Sequence, residues 1–370
     1  MGAEPDQATS PRFDPWTLIM GILGGVLLGT GVTFAILGFV GVFEEPTPPT
    51  VPPAPILTVP TPGTAPPPLF SDEVSARAVA AIVVPSTVAV EIDSFLVAGS
   101  GSGVIYSENG HIITNHHVVD GAGSVSVVFA DGARFPAQVV GSDPTTDIAV
   151  LLVDREGLTP IAIGSSASLS IGESTVAVGH PLGLEGGPTV TAGIISALDR
   201  TLGAGGSELF GLVQTDAPIA PGSSGGALVD SQGNLIGITT AIALSDVGPA
   251  DLGFAVPIDI AVGVANDLIE TGEVHHAQLG ITGQTAWAEE SGAEYPVGVL
   301  VDGVSAGSAY EQAEGQVNDV IVAIDGHEVE GFDTLLARLR RLRAGQVIPV
   351  RILRGDGTTT LEVTLDRLSP

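Results

Sequence analysis

The sequence predicts a mainly-β protein in which two β-barrels are followed by a smaller β domain. From about residue 71, short alternating or apolar runs are separated by turn residues, a pattern typical of all-β domains. The clearest predicted strands lie at 87–92, 125–129, 149–153, 175–178 and 235–238. A length of 370 residues is sufficient for two folded domains. An uncharged N-terminal stretch adds a transmembrane helix to the predicted fold.

The N-terminal stretch, residues 16–43, predicts a membrane anchor because it contains no charged residue. A helix of about 28 residues is about 42 Å long, enough to cross a hydrocarbon core of about 30 Å with tilt. A cleaved signal peptide would have a shorter apolar core and a basic leader, whereas Arg12 is the one basic residue before the stretch. With Glu44 and Glu45 on the other side, we expect residues 1–15 to be a cytoplasmic tail. The protein is then a single-pass protein of the cell membrane, with its folded domains extracytoplasmic.

Residues 44–70 are dense in proline and predict a linker. Proline-rich sequence favours extended polyproline II, so about 25 residues can reach on the order of 75 Å from the membrane. The segment is interpreted either as a spacer that holds the folded domains off the bilayer or as a disordered connection with no required length. Both interpretations give the same topology.

A serine at position 224 lies in the glycine-rich sequence APGSSGG, residues 220–226, and is the predicted nucleophile. A serine hydroxyl is a weak nucleophile at neutral pH and needs a base together with a group that orients the base. Upstream, TNHHV supplies the base, assigned to His117, and DPTTDIAV supplies the orienting carboxylate, Asp147. The chain order of histidine, aspartate and serine is that of chymotrypsin-like hydrolases. The three segments therefore predict a catalytic triad.

The predicted oxyanion hole lies in the same turn and comprises Gly222, Ser223 and Ser224. Attack on a carbonyl group places negative charge on its oxygen, and the flexible Gly222 allows its own N–H and that of Ser224 to point at that oxygen. One such donor is typically worth about 3 kcal/mol in the transition state. A tight turn without catalytic function is the alternative when this glycine-rich sequence is considered alone.

These motifs and several others resemble those of the HtrA/DegP family of serine proteases. The further matching segments lie at 101–105, 110–115, 179–183, 214–217 and 253–257. Ala220 and Ser223 stand where the family usually has asparagine, and neither position requires a side chain for the chemistry. The resemblance assigns the base to His117 rather than to His116, a structural neighbour. His180 also replaces a usual asparagine and is predicted to be structural, with a pH-sensitive role as the weaker alternative.

The resemblance implies a chymotrypsin-like double β-barrel protease domain at 71–272, followed by one PDZ domain at 273–370. Apolar residues at helical spacing from Ile258 to Ile269, with Gly272 after them, predict the helix that closes the protease domain. The PDZ domain is expected to bind an extended peptide C-terminus as an added strand. The loop for the peptide carboxylate is matched by Leu279, Gly280 and Ile281.

A predicted helix at 332–343 carries an apolar face and the one basic cluster of the chain. Its leucines suit either the domain core or the wall of the peptide groove. They are Leu335, Leu339 and Leu342. Its basic residues are predicted to form a solvated face, with docking to an acidic partner as the alternative. They are Arg338, Arg340, Arg341 and Arg343.

The predicted substrate pocket accepts small aliphatic residues before the cut. An acid six residues before the nucleophile creates a pocket for basic side chains in chymotrypsin-like proteases, and here that position is Pro218. The resemblance implies the same preference and suggests Ile219, Ile238 and Ala241 as pocket walls. Ser223 also replaces the aspartate that pairs with a new N-terminus in secreted zymogens, so activation by N-terminal cleavage is not expected.

The composition argues against several other functions. The formal net charge is −30 and the chain has only twelve basic residues, whereas a phosphate-binding surface needs clustered lysine and arginine, so nucleic acid is not an expected partner. The chain has no cysteine for disulfides or thiolate metal sites. Its seven histidines show no paired helical spacing, and no catalytic metal or other cofactor is predicted.

Together these features predict a membrane-anchored, extracytoplasmic serine endopeptidase that cleaves misfolded or signalling proteins in protein quality control. Its PDZ domain would target or regulate it by binding exposed C-termini. The resemblance further implies a homotrimer and two loops, near 201–211 and 243–253, that order the site. The main alternative is a chaperone or PDZ adaptor with a latent protease site. An esterase built on the same barrels is a third possibility.

Overall fold

The computed structural model describes residues 76–93, 98–181, 187–204, 207–240 and 252–368. A first barrel contains six antiparallel strands, namely β1 (Thr87–Asp93), β2 (Ala98–Ile105), β3 (His111–Thr114), β4 (Ser124–Val128), β5 (Arg134–Asp143) and β6 (Ile148–Val153). They close in the order β1-β2-β3-β6-β5-β4. The interior is filled by completely buried apolar side chains such as Val88, Ile112 and Leu151, which explains the alternating pattern of the sequence.

A second closed barrel follows, with strands β7 (Ser174–Gly179), β8 (Thr189–Ala204), β9 (Ser207–Thr215), β10 (Ala227–Val229), β11 (Leu235–Thr240) and β12 (Gly253–Pro257). They close in the order β10-β11-β12-β9-β8-β7. Ile148 of the first barrel and Val178 of the second belong to one buried cluster, so the barrels pack directly against each other. The predicted mainly-β class with two barrels is confirmed.

Three helices accompany the barrels in the described residues: α1 (Ala76–Val83), which continues into a 3-10 turn (Val84–Ser86), α2 (His116–Val119) and α3 (Ile258–Thr271). Helix α3 begins directly after Pro257 and ends where the N–H of Gly272 donates to the carbonyl of Leu268 at 3.0 Å. Its apolar face, including Ile258 and Val264, is buried in the cluster between the barrels. The predicted helix is therefore present and closes the double barrel.

A smaller domain follows, with strands β13 (Ala277–Gln278), β14 (Ile281–Glu290), β15 (Ala293–Val304), β16 (Val320–Ile324), β17 (His327–Glu328), β18 (Val347–Arg354), β19 (Gly357–Thr364) and β20 (Asp366–Arg367). Its main sheet has the order β14-β15-β16-β18-β19, with β17 paired to β16, while β13 pairs with β20. Two helices, α4 (Ala309–Gln312) and α5 (Phe332–Leu339), cover the core. The barrels and this domain belong to one compact unit, Pro66–Pro370.

Helix α5 is shorter than the predicted 332–343 segment, because it ends at Leu339 and Arg340 is its C-terminal cap. The three leucines of this segment lie in the core of the C-terminal domain, which decides between the two interpretations of that face. They are Leu335, Leu339 and Leu342.

The prediction of a solvated basic face on this segment is wrong, because the arginines are partly buried against the double barrel. The guanidinium groups of Arg338 and Arg341 both donate to the carboxylate of Asp199 on β8, at 3.1 and 2.9 Å. Arg343 donates to Asp267 on α3 at 3.1 Å. The acidic partners are thus in the same chain, 76 to 142 residues upstream.

Several sequence predictions lie outside the described residues. They are the cytoplasmic tail at 1–15, the anchor at 16–43, the linker at 44–70, Ala241 and most of the loop at 243–253. Among the residues that the structure describes, no helix is both long enough and apolar enough to span a bilayer.

Truncation of a core side chain tests the packing of the first barrel. Ile112→Ala is expected to lower the free energy of unfolding by about 3 kcal/mol, because it removes buried methyl groups and leaves a cavity. Ile171→Ala is the matched control, since Ile171 is 67% exposed and its truncation should cost no more than about 0.5 kcal/mol. Urea unfolding of both variants measures the difference. Equal losses would contradict the assignment of Ile112 to the barrel core.

Candidate active site

His117 and Asp147, the predicted base and its orienting carboxylate, are hydrogen-bonded to each other. His117 lies on the short helix α2, and its Nδ1 is 2.9 and 2.8 Å from Oδ1 and Oδ2 of Asp147. The backbone N–H of His117 also donates to Oδ1 at 3.0 Å. Because an ionised carboxylate only accepts, this pairing places the imidazole proton on Nδ1 and leaves Nε2 able to accept a proton. The His117 side chain is 43% exposed, whereas that of Asp147 is 8% exposed.

Asp147 is held from both barrels. Thr240, the last residue of β11, donates from its hydroxyl to Oδ2 of Asp147 at 3.0 Å. The backbone of Asp147 has a left-handed φ of 58°, and its carbonyl accepts from the side chain of Asn115 at 2.9 Å and from the N–H of His116 at 3.1 Å. A positive φ costs energy for a residue with a side chain and persists where the surroundings determine it. The N–H of His116 thus supports the backbone of Asp147.

The turn that leads to Asp147 is organised by a second aspartate, Asp143. Its carboxylate accepts from the N–H groups of Thr145 and Thr146 at 3.2 and 3.1 Å, and from the Thr146 hydroxyl. The Nε2 of His276, in the C-terminal domain, lies 3.0 Å from Oδ2 of Asp143. Burial alone would raise the pKa of the Asp143 carboxyl, but the hydrogen bond and charge of His276, with those of Thr146 and Thr145, hold this pKa below its usual value.

The turn that carries Ser224 is fixed to the first barrel. The carbonyl of Ser224 accepts from the N–H of Ser102 on β2 at 2.7 Å. Gly225 has a φ of 85°, and a Cβ at this position would collide with the carbonyl oxygen of Ser102. The N–H of Ser223 donates to the carbonyl of Ala220 at 2.9 Å, so of the three predicted oxyanion residues Ser223 uses its N–H within the turn.

Ser102 is also hydrogen-bonded to Gly222, one of the three predicted oxyanion residues. The hydroxyl of Ser102 donates to the carbonyl of Gly222 at 2.8 Å and accepts from the N–H of His180 at 2.7 Å. Ser102 is fully buried, so this hydroxyl links β2 to two loops of the second barrel. Gly222 has a φ of 90°, a conformation that favours glycine.

His180 lies beside this turn with 8% of its surface exposed. Burial lowers the pKa of His180 to about 4, with a smaller opposing effect of a hydrogen bond to the backbone of Val88. Within the described part of the chain its Nδ1 has no hydrogen-bond partner. The residue is therefore neutral near pH 7.

The structure separates the two predicted pocket residues that it describes, Ile219 and Ile238. Ile219 lines a cavity of about 90 Å³ beside Ser223, together with Val178 and Thr239. Ile238 does not line this cavity, because it is completely buried in the cluster between the barrels. Ala241 lies outside the described residues.

The predicted carboxylate loop of the C-terminal domain lies at the start of β14. Leu279 is buried and its carbonyl accepts from the N–H of Tyr310 at 3.0 Å. Gly280 has a φ of 74° and Ile281 pairs with Val304. The loop is therefore a tight turn held against α4.

Sequence reasoning missed Ser102, Asp143, Thr240 and His276. Asp143 begins DPTTD, which is a turn signal that a search for capping aspartates could have found. The other three contact partners between 78 and 133 residues away, and their local sequence carries no sign of the contact.

Comparisons with known proteins give consistent results for both folded parts. A model described as a trypsin-like peptidase domain matches residues 101–238, and a PDZ domain model matches residues 273–365. The chain is 36% identical over 374 residues to the serine protease PepD of Mycobacterium tuberculosis, covering 95% of this chain and 78% of that relative. It is 37% identical to the periplasmic serine endoprotease DegP of Salmonella typhimurium, covering 74% of this chain and 58% of the relative. The solved structure of the HtrA-type protease AlgW with a tripeptide is similar, with a TM-score of 0.65, 35% identity and coverage of 80% of this chain and 98% of that one.

The burial of His180 predicts an acid-dependent loss of stability. The pKa of His180 is about 4 in the folded protein and 6.5 without burial, so the unfolded chain binds the extra proton first as the pH falls. Above about pH 6.5 protonation of this residue does not lower the free energy of unfolding. By pH 4 it has lowered that free energy by roughly 3 kcal/mol. In His180→Asn this part of the pH dependence should disappear, which urea unfolding at pH 7 and pH 4.5 would measure. The same dependence in both proteins would contradict the buried neutral state.

Proposed function

This chain belongs to the HtrA/DegP family of serine endoproteases, and we propose that it cleaves misfolded or signalling proteins with a triad of His117, Asp147 and Ser224. The observation that carries the proposal is the double hydrogen bond of His117 Nδ1 to a carboxylate that Thr240 also holds. A histidine oriented in this way keeps Nε2 available as a base. In the chymotrypsin-like order of the chain, the serine that this base serves is Ser224.

The proposed reaction has two steps. The Nε2 of His117 takes the proton of the Ser224 hydroxyl while Oγ attacks the peptide carbonyl, and Asp147 stabilises the imidazolium that forms. The imidazolium then returns the proton to the leaving amine, which releases the first product and leaves an acyl-enzyme. Water then attacks the ester while the same histidine takes its proton, and the histidine returns that proton to Oγ of Ser224 as the acid product leaves.

The N–H groups of Gly222 and Ser224 are proposed to bind the oxyanion of both tetrahedral intermediates. The N–H of Ser223 is not included, since it is used in the turn. The hydroxyl of Ser102 supports this assignment, because its hydrogen bond to the Gly222 carbonyl fixes the orientation of the glycine. Donors fixed before the reaction stabilise the developing charge without reorganisation during the step.

The specificity proposed is for small aliphatic residues before the cut. The cavity of about 90 Å³ beside the serine turn supports this, because it is small and includes Ile219, Val178 and Pro218 in its lining. Among the residues that the structure describes, no acidic side chain lines this cavity, which supports a preference against basic residues at this position.

The PDZ domain is proposed to bind peptide C-termini and to regulate the protease. A peptide would add as a strand beside β14, near α5, with its carboxylate at Leu279, Gly280 and Ile281. Arg338 of helix α5, and Arg341 just after this helix, are also ion-paired to Asp199 of β8, the strand that leads to the predicted ordering loop near 201–211. Because α5 lies beside the proposed peptide groove and also contacts β8, peptide binding could change the position of the loop near 201–211.

We further propose that residues 16–43 anchor the protein in the cell membrane, with the protease and PDZ domains outside the cytoplasm. The uncharged sequence of this segment supports the anchor, and the names of relatives as periplasmic endoproteases support the location. The chain spans 78% of the first relative but little more than half of the DegP relatives, at 58% for that of Salmonella typhimurium. The family resemblance also supports assembly as a homotrimer.

The Ser224→Ala variant tests the proposed chemistry. The purified full chain is incubated with an unfolded protein and, separately, with a serine-directed phosphonate probe, and the peptide ends are sequenced by mass spectrometry. We expect cleavage after small aliphatic residues and labelling of Ser224 in the wild type, with both lost in the variant because no other group can form the acyl-enzyme. Labelling that persists in the variant would point to another nucleophile. Labelling and ester turnover without peptide cleavage would favour an esterase.

Membrane orientation is tested separately with intact cells. An external protease should remove the C-terminal domain, because the proposed topology places everything after residue 43 outside the cytoplasm. Immunoblotting with an antibody to the C-terminal domain measures the loss, and a cytoplasmic protein that stays intact is the control. Full protection in intact cells, with digestion after lysis, would overturn the topology.

A further inference from the structure

The turn that presents Asp147 to His117 is contacted directly by the C-terminal domain. This turn runs from Asp143 to Asp147, and Asp143 determines its shape by accepting from the N–H groups of Thr145 and Thr146. The fourth donor to Asp143 is Nε2 of His276, which lies just before β13 and 133 residues further along the chain. The proposed triad therefore has one support that the double barrel does not supply.

His276 must be the donor in this contact. The pKa of Asp143 is held below its usual value, so its carboxylate is ionised near neutral pH and only accepts. The side chains of Asp143 and His276 are only 6% and 11% exposed. If His276 were removed, water would therefore be a poor substitute for it as a donor to Asp143. A buried carboxylate left without a donor is costly, and the turn would be expected to rearrange toward solvent.

His276 is itself held in place from both sides. Its backbone pairs with that of Arg343, whose guanidinium donates to Asp267 of α3 at 3.1 Å. The same carboxylate accepts from the N–H of His275 at 3.1 Å. The segment that carries His276 is thus fixed to helix α3, and α3 is fixed in the core between the barrels.

Other charged groups near Asp143 come from the same domain. Arg340 lines a small cavity with Thr145 and Thr146, and the charge of Asp143 opposes the effect of burial, which lowers the pKa of Arg340. Asp143 therefore faces two basic side chains of the C-terminal domain, and of these two His276 is the one hydrogen-bonded to it.

We propose that Asp143 and His276 are positioning residues of the protease active site, and that the C-terminal domain completes the site through this hydrogen bond. The inference rests on the proposed function of the triad. His276 fixes Asp143, Asp143 fixes the turn at Thr145 and Thr146, and the turn places the Asp147 carboxylate against His117. This route reaches the triad through its aspartate and is separate from the ion pairs of α5 with β8.

The test compares variants of the full chain. His276→Ala removes the donor, His276→Gln retains an N–H at a similar reach, and His275→Ala is the matched control, since the hydrogen bond of His275 to Asp267 comes from its backbone N–H. The measurements are the rate constant of phosphonate labelling at Ser224, kcat and KM for a peptide substrate, and amide hydrogen exchange of the 143–147 turn.

The expected result is a split between catalysis and binding. His276→Ala should lower the labelling rate constant and kcat about tenfold, with KM changed less than about twofold, because the triad is misplaced while the pocket is intact. Amide exchange at Thr145 and Thr146 should rise. His276→Gln should recover most of the rate, and His275→Ala should match the wild type. If His276→Ala does not fold, His276→Leu, which keeps the volume, carries the same expectations.

Contradictory results are also clear. Wild-type rates in folded His276→Ala or His276→Leu would overturn the inference while leaving the proposed function intact. A loss in His276→Gln as large as in His276→Ala would assign the effect to packing rather than to the donated hydrogen bond, and would also overturn it. A wild-type chain that neither labels nor cleaves would overturn the proposed function, and this inference with it.

Discussion

The Asp147 carboxylate connects the two barrels at the candidate active site, because side chains from both barrels are hydrogen-bonded to it. It accepts hydrogen bonds from His117, which follows β3 of the first barrel, and from Thr240, which ends β11 of the second. A buried carboxylate that loses such donors is destabilising. A shift of either barrel relative to the other would therefore lengthen or break one of these hydrogen bonds. The left-handed backbone conformation of Asp147 also depends on its surroundings, because it is maintained by the hydrogen bonds to the side chain and the carbonyl of this residue.

The distribution of charge in the chain explains how the C-terminal domain is oriented. The chain contains no lysine, and its twelve basic residues are all arginine. Four of them lie between positions 338 and 343 of a chain whose formal net charge is −30. Arginine stays charged at any pH of interest and forms planar, directional hydrogen bonds, so a pair of guanidinium groups on Asp199 fixes both position and rotation.

The sequence was sufficient for the elements whose cause is local. Alternating apolar residues predicted strands such as β1 and β7, and proline before Ile258 with glycine after residue 271 gave the bounds of α3. Strand β2 was harder, since AGSGSGVI has low β propensity. Its glycines are explained only by the fold, because Val118 and Ile112 occupy the space that side chains at 101 and 103 would need.

For the candidate site, too, features with a local cause were predicted from the sequence, whereas features that depend on tertiary contacts were not. His117 and Asp147 were selected from motifs, and the structure brings their side chains within hydrogen-bond distance. Ile238 was assigned to the pocket but lies in the core, since the apolar character of a strand does not show which side faces the cavity. The basic face near α5 was predicted to be solvated because its acidic partner, Asp199, lies 139 residues upstream of Arg338. Contacts of this separation depend on tertiary structure and leave no local pattern.

The short connection between α3 and β13 limits how the two domains can be recombined. Helix α3 ends at Thr271 and His276 follows after only four intervening residues, so the position of that imidazole depends on the helix as well as on the domain that comes after it. A chimera that joins this protease to a foreign peptide-binding module should therefore be cut after residue 276 and not at the apparent domain boundary. A junction placed earlier would remove a piece of the enzyme together with the module.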